Sequence, residues 1–180
     1  SSSVVVYPNG DIFDSETGKL WIKEGTVCVD AHAYKYRKDI VEVHFPNTVV
    51  EIKESAFWFC TRIKSLILPD SLTKIGMFAF DSCSGITTLH LPDTLTSIGA
   101  AAFHHCWSIT TLRLPITLTK ISDCAFEGCS GIITLHLPDS LTEIGSTAFH
   151  GCSGITTLQL PDTLAEIGEY AFDSCSGITT

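Results

Sequence analysis

A 23-residue period runs through most of this 180-residue chain. Three residue types mark it, each in a column that recurs once per period. The columns are Pro46, Pro69, Pro92, Pro115, Pro138 and Pro161; Phe57, Phe80, Phe103, Phe126, Phe149 and Phe172; and Cys60, Cys83, Cys106, Cys129, Cys152 and Cys175. A fixed period of this size is typical of a solenoid, in which each coil buries its apolar face only against its neighbours. The sequence therefore predicts a stack of similar coils.

Residues 69–91 show how one coil is built. Its end, residues 89–91, alternates apolar and polar side chains and predicts a short strand. Its start, residues 69–71, has the Pro, Asp and Ser that are typical of a turn. Between them, apolar side chains recur at the spacing of one helix face: Ile75, Ala79, Phe80 and Cys83. We therefore expect a short helix there, ended by a left-handed residue at Gly85.

The recurring pattern resembles a known repeat family. It reads Leu89-x-Leu91-Pro92-x-x-Leu95-x-x-Ile98-Gly99-x-x-Ala102-Phe103-x-x-Cys106 and is similar to the BspA-like leucine-rich repeat. The resemblance implies surface adhesion or protein binding and brings no catalytic motif. We accordingly expect an α/β repeat solenoid, a right-handed leucine-rich coil with short parallel strands on one face and short helices or turns on the other.

Two regions are predicted along the chain. Residues 1–22 do not match the repeat and predict an N-terminal capping hairpin segment. Residues 23–180 predict the solenoid, with a degenerate first coil at 23–45, where Arg37 replaces the cysteine, and regular coils at 46–180. The last coil stops just before its next strand, which predicts an open C-terminal end suited to end-to-end self-association or a larger complex.

The net charge is −9, and no Lys or Arg follows Lys120. Such a chain is unsuited to nucleic acid, which needs cationic phosphate contacts, and no apolar run is long enough for membrane insertion. A basic partner is compatible with it. Six of the eight cysteines share one column, which favours reduced, buried packing groups over disulfides. The compartment stays open: the resemblance implies the cell surface or an extracellular place, whereas unpaired cysteines suit a reduced intracellular one.

Positions that differ between coils face solvent or a partner, so the outward side of the predicted strands, the strand face, is the first candidate site. Its central column is His44, Ile67, His90, Arg113, His136 and Gln159. The resemblance implies that this face is the docking surface, and we expect the contact to be centred on His90, Arg113 and His136. Its His and Arg side chains would suit an acidic protein or a glycan. A solvated sheet face without a ligand is the alternative.

A second column alternates acids and histidines on the predicted helix side: Trp58, Asp81, His104, Glu127, His150 and Asp173. Zinc binds such groups, and His104, Glu127 and His150 are weak candidates. Exposed ion pairs between coils are the preferred interpretation, so we predict neither a metal nor a cofactor. Three aromatic residues of the first two full coils, Trp58, Phe59 and Phe78, predict an exposed patch.

Catalysis has no support in the sequence, because it contains no nucleophile elbow, phosphate loop or zinc-protease motif. An active site also needs one unique constellation, and the coils resemble one another. The sequence therefore predicts a non-catalytic protein-interaction or adhesion module that binds its partner on the strand face. The alternative is a structural scaffold subunit, held in a larger assembly through its open end and the aromatic patch.

Overall fold

The computed structural model describes residues 2–179, so the outer limits of the predicted regions, Ser1 and Thr180, lie outside it. Fifteen short strands stack coil upon coil. They are β1 (Val4–Val6), β2 (Ile12–Asp14), β3 (Lys19–Trp21), β4 (Cys28–Val29), β5 (Glu42–His44), β6 (Glu51–Ile52), β7 (Ser65–Ile67), β8 (Lys74–Ile75), β9 (Thr88–His90), β10 (Ser97–Ile98), β11 (Thr111–Arg113), β12 (Lys120–Ile121), β13 (Thr134–His136), β14 (Glu143–Ile144) and β15 (Glu166–Ile167). No helix occurs in residues 2–179, so the expected α/β class is wrong and the fold is a β-solenoid.

The strands form parallel sheets on two sides of the stack. On the strand face, β3, β5, β7 and β9 lie side by side, followed by the pair β11 and β13. On the other side, β4, β6, β8 and β10 form one sheet and β12, β14 and β15 another. The register advances by one period from strand to strand, as where Leu66 lies opposite Leu89. The predicted coil of about 23 residues and its parallel strands are thereby confirmed.

Tight turns replace the predicted helix. Ile75 belongs to β8, and beyond it Phe78 and Ser82 both have a φ of 58°. An α-helix contains no such left-handed residue. The N–H groups of Phe78, Phe80 and Ser82 donate to carbonyls of the next coil, whereas the N–H groups between them bond within the coil. Since an α-helix would direct all these donors to its own carbonyls, bonding between coils takes the place of the helix.

The glycine after the cysteine also differs from expectation. Gly85 does not have a left-handed φ, so the predicted helix stop is wrong. A Cβ at Gly85 would lie 2.4 Å from the carbonyl oxygen of Thr61 in the preceding coil, so the position needs glycine for space. A hydroxyl column likewise joins neighbouring coils, since Ser71 Oγ donates to the carbonyl of Val49 at 2.7 Å. Both contacts keep the backbones of these adjacent coils close together, although Arg62 and Ser108 replace the glycine in two other coils.

The core is a stack of matching side chains. The phenylalanine rings from Phe57 to Phe172 lie nearly parallel, with centroids 5.3–5.6 Å apart. The cysteine column lies beside them and is buried, which confirms it as a column of packing groups. Each of its thiols also donates to a backbone carbonyl of the preceding coil, as Cys106 Sγ does to Phe80 at 3.2 Å. The columns read from the sequence are therefore the core.

The N-terminal strands cover the first coil. The strand β2 lies between β1 and β3 and is antiparallel to both, while β3 continues in parallel to β5. The guanidinium of Arg37 lies 4.7 Å from the ring centroid of Phe13 and donates to the Tyr7 hydroxyl. Buried Asp11 accepts a hydrogen bond from Tyr34. Arg37 thus replaces cysteine because it anchors these strands. The predicted boundary at residue 22 and the open C-terminal end stay predictions.

Candidate interaction face

The predicted docking residues form one exposed row on the strand face. Side chains alternate along each strand, so Leu66 and Leu112 point into the core while their neighbours point outward. The outward row is His44, Ile67, His90, Arg113, His136 and Gln159, and every member is exposed. Backbone register places Ile67 beside His90 and Arg113 beside His136. Gln159 continues the row beyond the last three-residue strand.

Trp21 extends this row, although the column predicted from the sequence begins only at His44. Its ring stacks on His44 with centroids 5.4 Å apart and an angle of 10° between the planes. The imidazole Nε2 of His44 lies 2.7 Å from Glu42 Oε1. The repeat period could have identified Trp21, because it precedes His44 by 23 residues. It was missed because residues 1–22 were assigned to the cap.

The row changes character at Arg113. Its guanidinium forms an ion pair with Asp93, 20 residues earlier in the chain, at 3.3 Å, and both side chains are about half exposed. Asp93 also accepts the Ile116 N–H at 3.2 Å. Both contacts lower the pKa of Asp93, and the hydrogen bond from the Ile116 backbone has the larger effect. The sheet itself is interrupted here, because β9 and β11 are neighbours in the stack but are not paired.

The acid and histidine column forms separate pairs instead of one site. His104 Nδ1 lies 3.2 Å from Oδ1 of the buried Asp81, and this hydrogen bond raises the pKa of His104. His150 Nδ1 lies 3.2 Å from Asp173 Oδ2, though without hydrogen-bond alignment. Glu127 instead accepts a hydrogen bond from Thr147 at 3.1 Å. The weak metal candidates therefore do not converge, and residues 2–179 contain no group of three or more His, Cys, Asp or Glu suited to a metal ion.

The aromatic patch differs from its prediction. Trp58, Phe59 and Phe78 are partly buried rather than exposed. Trp58 and Phe59 meet each other and the exposed ring of Tyr36, with centroid distances of 5.2–5.7 Å. No ring contact of the described residues joins Phe78 to this cluster. The sequence did not single out Tyr36, although it lies one period before Phe59.

The thiols of the cysteine column are poor nucleophiles. Burial raises the pKa of Cys60 to about 12 and that of Cys106 well above its ordinary value. Burial also raises the pKa of Cys124, which lies outside the column. Since the thiolate is the reactive form, these environments suit packing and not catalysis. The exposed row offers indole, imidazole, guanidinium and amide groups to the solvent. No helix able to cross a bilayer is found in the described part of the chain.

Several solved bacterial structures share this fold. A leucine-rich repeat protein of T. pallidum is 28% identical, with a TM-score of 0.73 over 81% of this chain and 66% of its own. A leucine-rich cell surface protein of Faecalibacterium prausnitzii A2-165 is 27% identical, with a TM-score of 0.75 over 100% of this chain and 54% of its own. A leucine-rich repeat protein of Bacteroides ovatus ATCC 8483, at 24% identity and a TM-score of 0.82, covers 97% of this chain and 48% of its own, and shows the fold alone. The chain thus spans about half to two thirds of these proteins.

Sequence comparison gives the family directly. A search of curated proteins gave no match. The model of the BspA type leucine-rich repeat region, however, matches residues 15–133 and 96–180, with six copies. These ranges include the first coil, with its Arg37 departure, and every regular coil of the structure. The chain therefore belongs to the BspA type leucine-rich repeat family.

Proposed function

We propose that the protein is a non-catalytic protein-interaction or adhesion module whose partner binds on the strand face. One observation supports this most strongly. The inward columns are nearly constant from coil to coil, while the exposed row from Trp21 to Gln159 changes chemistry at almost every step. A rigid scaffold with a varied outer row is the arrangement from which repeat proteins build extended binding surfaces. The cell surface is the proposed location, because the F. prausnitzii relative is described as a cell surface protein.

Cross-linking with mass spectrometry tests this proposal. The chain is incubated with an extract of its source organism, and captured partners are compared between wild type and His90→Glu/Arg113→Glu. The proposal expects cross-links at the strand face and loss of the partner in the double variant. The matched control is Arg62→Glu/His105→Glu, which makes the same exchanges at exposed positions outside the strand face. The control should retain the partner.

A different cross-linking pattern would contradict the strand-face assignment. If the double variant keeps its partner and cross-links concentrate near Trp58 and Tyr36, the strand face is not the docking surface. The alternative function, a scaffold subunit held through the aromatic cluster, would then take its place. If the double variant and the control lost the partner equally, the added negative charge alone would explain the loss.

A further inference from the structure

The strand face has one position where the repeat pattern gives way to different chemistry. The residue after each proline is polar in every regular coil except the one where it is Ile116. The whole column is Asn47, Asp70, Asp93, Ile116, Asp139 and Asp162. Ile116 is 62% exposed, so burial does not explain the change. The outward row changes three residues earlier, where Arg113 stands between His90 and His136. Ile116 thus stands where most coils have an acid, and Arg113, a permanent cation, stands where the two neighbouring coils have histidine.

The repeat geometry shows what this change does to His136. Arg113 pairs with Asp93, the acid that lies 20 residues earlier in the chain. The residue 20 positions before His136 is Ile116. The carboxylate that pairs with Arg113 therefore has no counterpart at this position for the His136 imidazole. Asp93 contacts the Arg113 guanidinium at 3.3 and 3.5 Å. These distances are long for charge-assisted hydrogen bonds, and an exposed pair of this kind is weak. The other N–H donors of Arg113 have no partner among the described residues.

These side chains surround a surface notch of ≈ 230 Å³, lined by Arg113, Ile116, His136, Leu137, Pro138 and Asp139. Arg113 offers N–H donors, Asp139 contributes a carboxylate, and Ile116, Leu137 and Pro138 contribute apolar surface. Arginine binds carboxylates with paired hydrogen bonds and is enriched where interfaces are strongest. Asp139 also lines the notch, so a ligand with a second negative charge is disfavoured there.

We propose that this notch binds a protein segment that presents a single Asp or Glu carboxylate next to an aliphatic side chain. The carboxylate would contact Arg113 and His136, and the aliphatic group would pack on Ile116. A neutral sugar suits the site less well, because it offers no carboxylate for paired hydrogen bonds to Arg113. The inference rests on the proposed function and names the partner chemistry of the same face.

The test is an NMR titration of the chain with two blocked tripeptides, acetyl-Leu-Glu-Leu-amide and acetyl-Leu-Gln-Leu-amide. The Glu peptide should shift the Arg113 side-chain Nε–H and the His136 amide saturably, at least tenfold more tightly than the Gln peptide. Ile116→Asp restores the residue of the other coils and should weaken Glu-peptide binding at least tenfold. The matched control is Ile133→Asp, the same exchange at a 56% exposed isoleucine immediately before β13, which should bind within twofold of wild type.

Three results would overturn the inference. Equal binding of both peptides would show that no carboxylate is recognised. Equal weakening by Ile116→Asp and Ile133→Asp would show an effect of net charge alone. Binding of hyaluronan oligosaccharides without binding of the Glu peptide would assign the notch to an acidic glycan. Ile116→Asp in the cross-linking assay separates this inference from the proposed function: a partner retained on the strand face would contradict only the notch.

Discussion

Removing one ring from the middle of the phenylalanine stack should destabilise the whole array. Phe103 is fully buried, and its centroid lies 5.3 Å from Phe80 and 5.5 Å from Phe126. Phe103→Ala removes roughly 120 Å² of buried apolar surface, or about 3 kcal/mol at ~25 cal/mol per Å². The two lost ring contacts add about 1–2 kcal/mol. We therefore expect a loss of about 4–5 kcal/mol, within the range for large cavities.

Two controls separate the cavity from other effects. Phe172→Ala makes the same exchange where the ring is partly exposed and stacks on Phe149 alone, so its cost should be about half. Phe103→Leu keeps most of the volume and should cost under about 1.5 kcal/mol.

Urea unfolding followed by circular dichroism gives the free energy of unfolding and the m-value for each variant. A lowered m-value in Phe103→Ala would indicate that the array unfolds in two parts, as repeat proteins do when a neighbour contact is weakened. If Phe103→Ala lost no more stability than Phe172→Ala, the stack would not be the element that joins the coils.

Two further predictions concern titratable side chains. The pKa of His104 is raised, so the stabilisation from its pair with Asp81 is fully present below about pH 6.5 and is lost as the pH rises through the folded-state pKa. The stability difference between wild type and His104→Gln should therefore shrink between pH 6 and pH 9 in urea unfolding, and a constant difference would contradict it. In native alkylation at pH 8 followed by mass spectrometry, partly exposed Cys28 should react first, Cys124 next and buried Cys106 only on unfolding. Early modification of Cys106 would contradict its place in the core.

The core columns could be predicted from the sequence because, in a solenoid, residues one period apart occupy equivalent positions in neighbouring coils. Any residue needed once per coil must recur at the period, so Phe80 and Cys83 could be assigned to the core without knowing the backbone. The backbone between them could not be predicted. The spacing of Ile75, Phe80 and Cys83 fits a helix face, yet it also fits turns with left-handed residues such as Phe78 and Ser82. Only the hydrogen bonds to the next coil distinguish these two structures.

The candidate site was predicted in part for a related reason. Comparison of coils shows which positions vary, and the exposed row from His44 to Gln159 follows from that. It does not show which side chains meet across coils. The contact of Trp58 and Phe59 with Tyr36 depends on ring orientations, and the Asp93–Arg113 pair joins residues from two different columns. Contacts between side chains of one column can be predicted from the repeat, whereas contacts between side chains of different columns require coordinates.

Departures from the repeat carry the functional information in such a chain, once those with a structural cause are set aside. Arg37 departs because it anchors the N-terminal strands. Ser122 replaces a glycine and donates to the Ile98 carbonyl of the preceding coil at 2.7 Å, so its hydroxyl serves coil contact. Ile116 and Trp107 have no such cause, since both are more than half exposed. Trp107 lies in the coil of Arg113, residues 92–114, and Ile116 follows Arg113 by three residues at the start of the next coil, so we expect the functional contacts around the junction of these two coils.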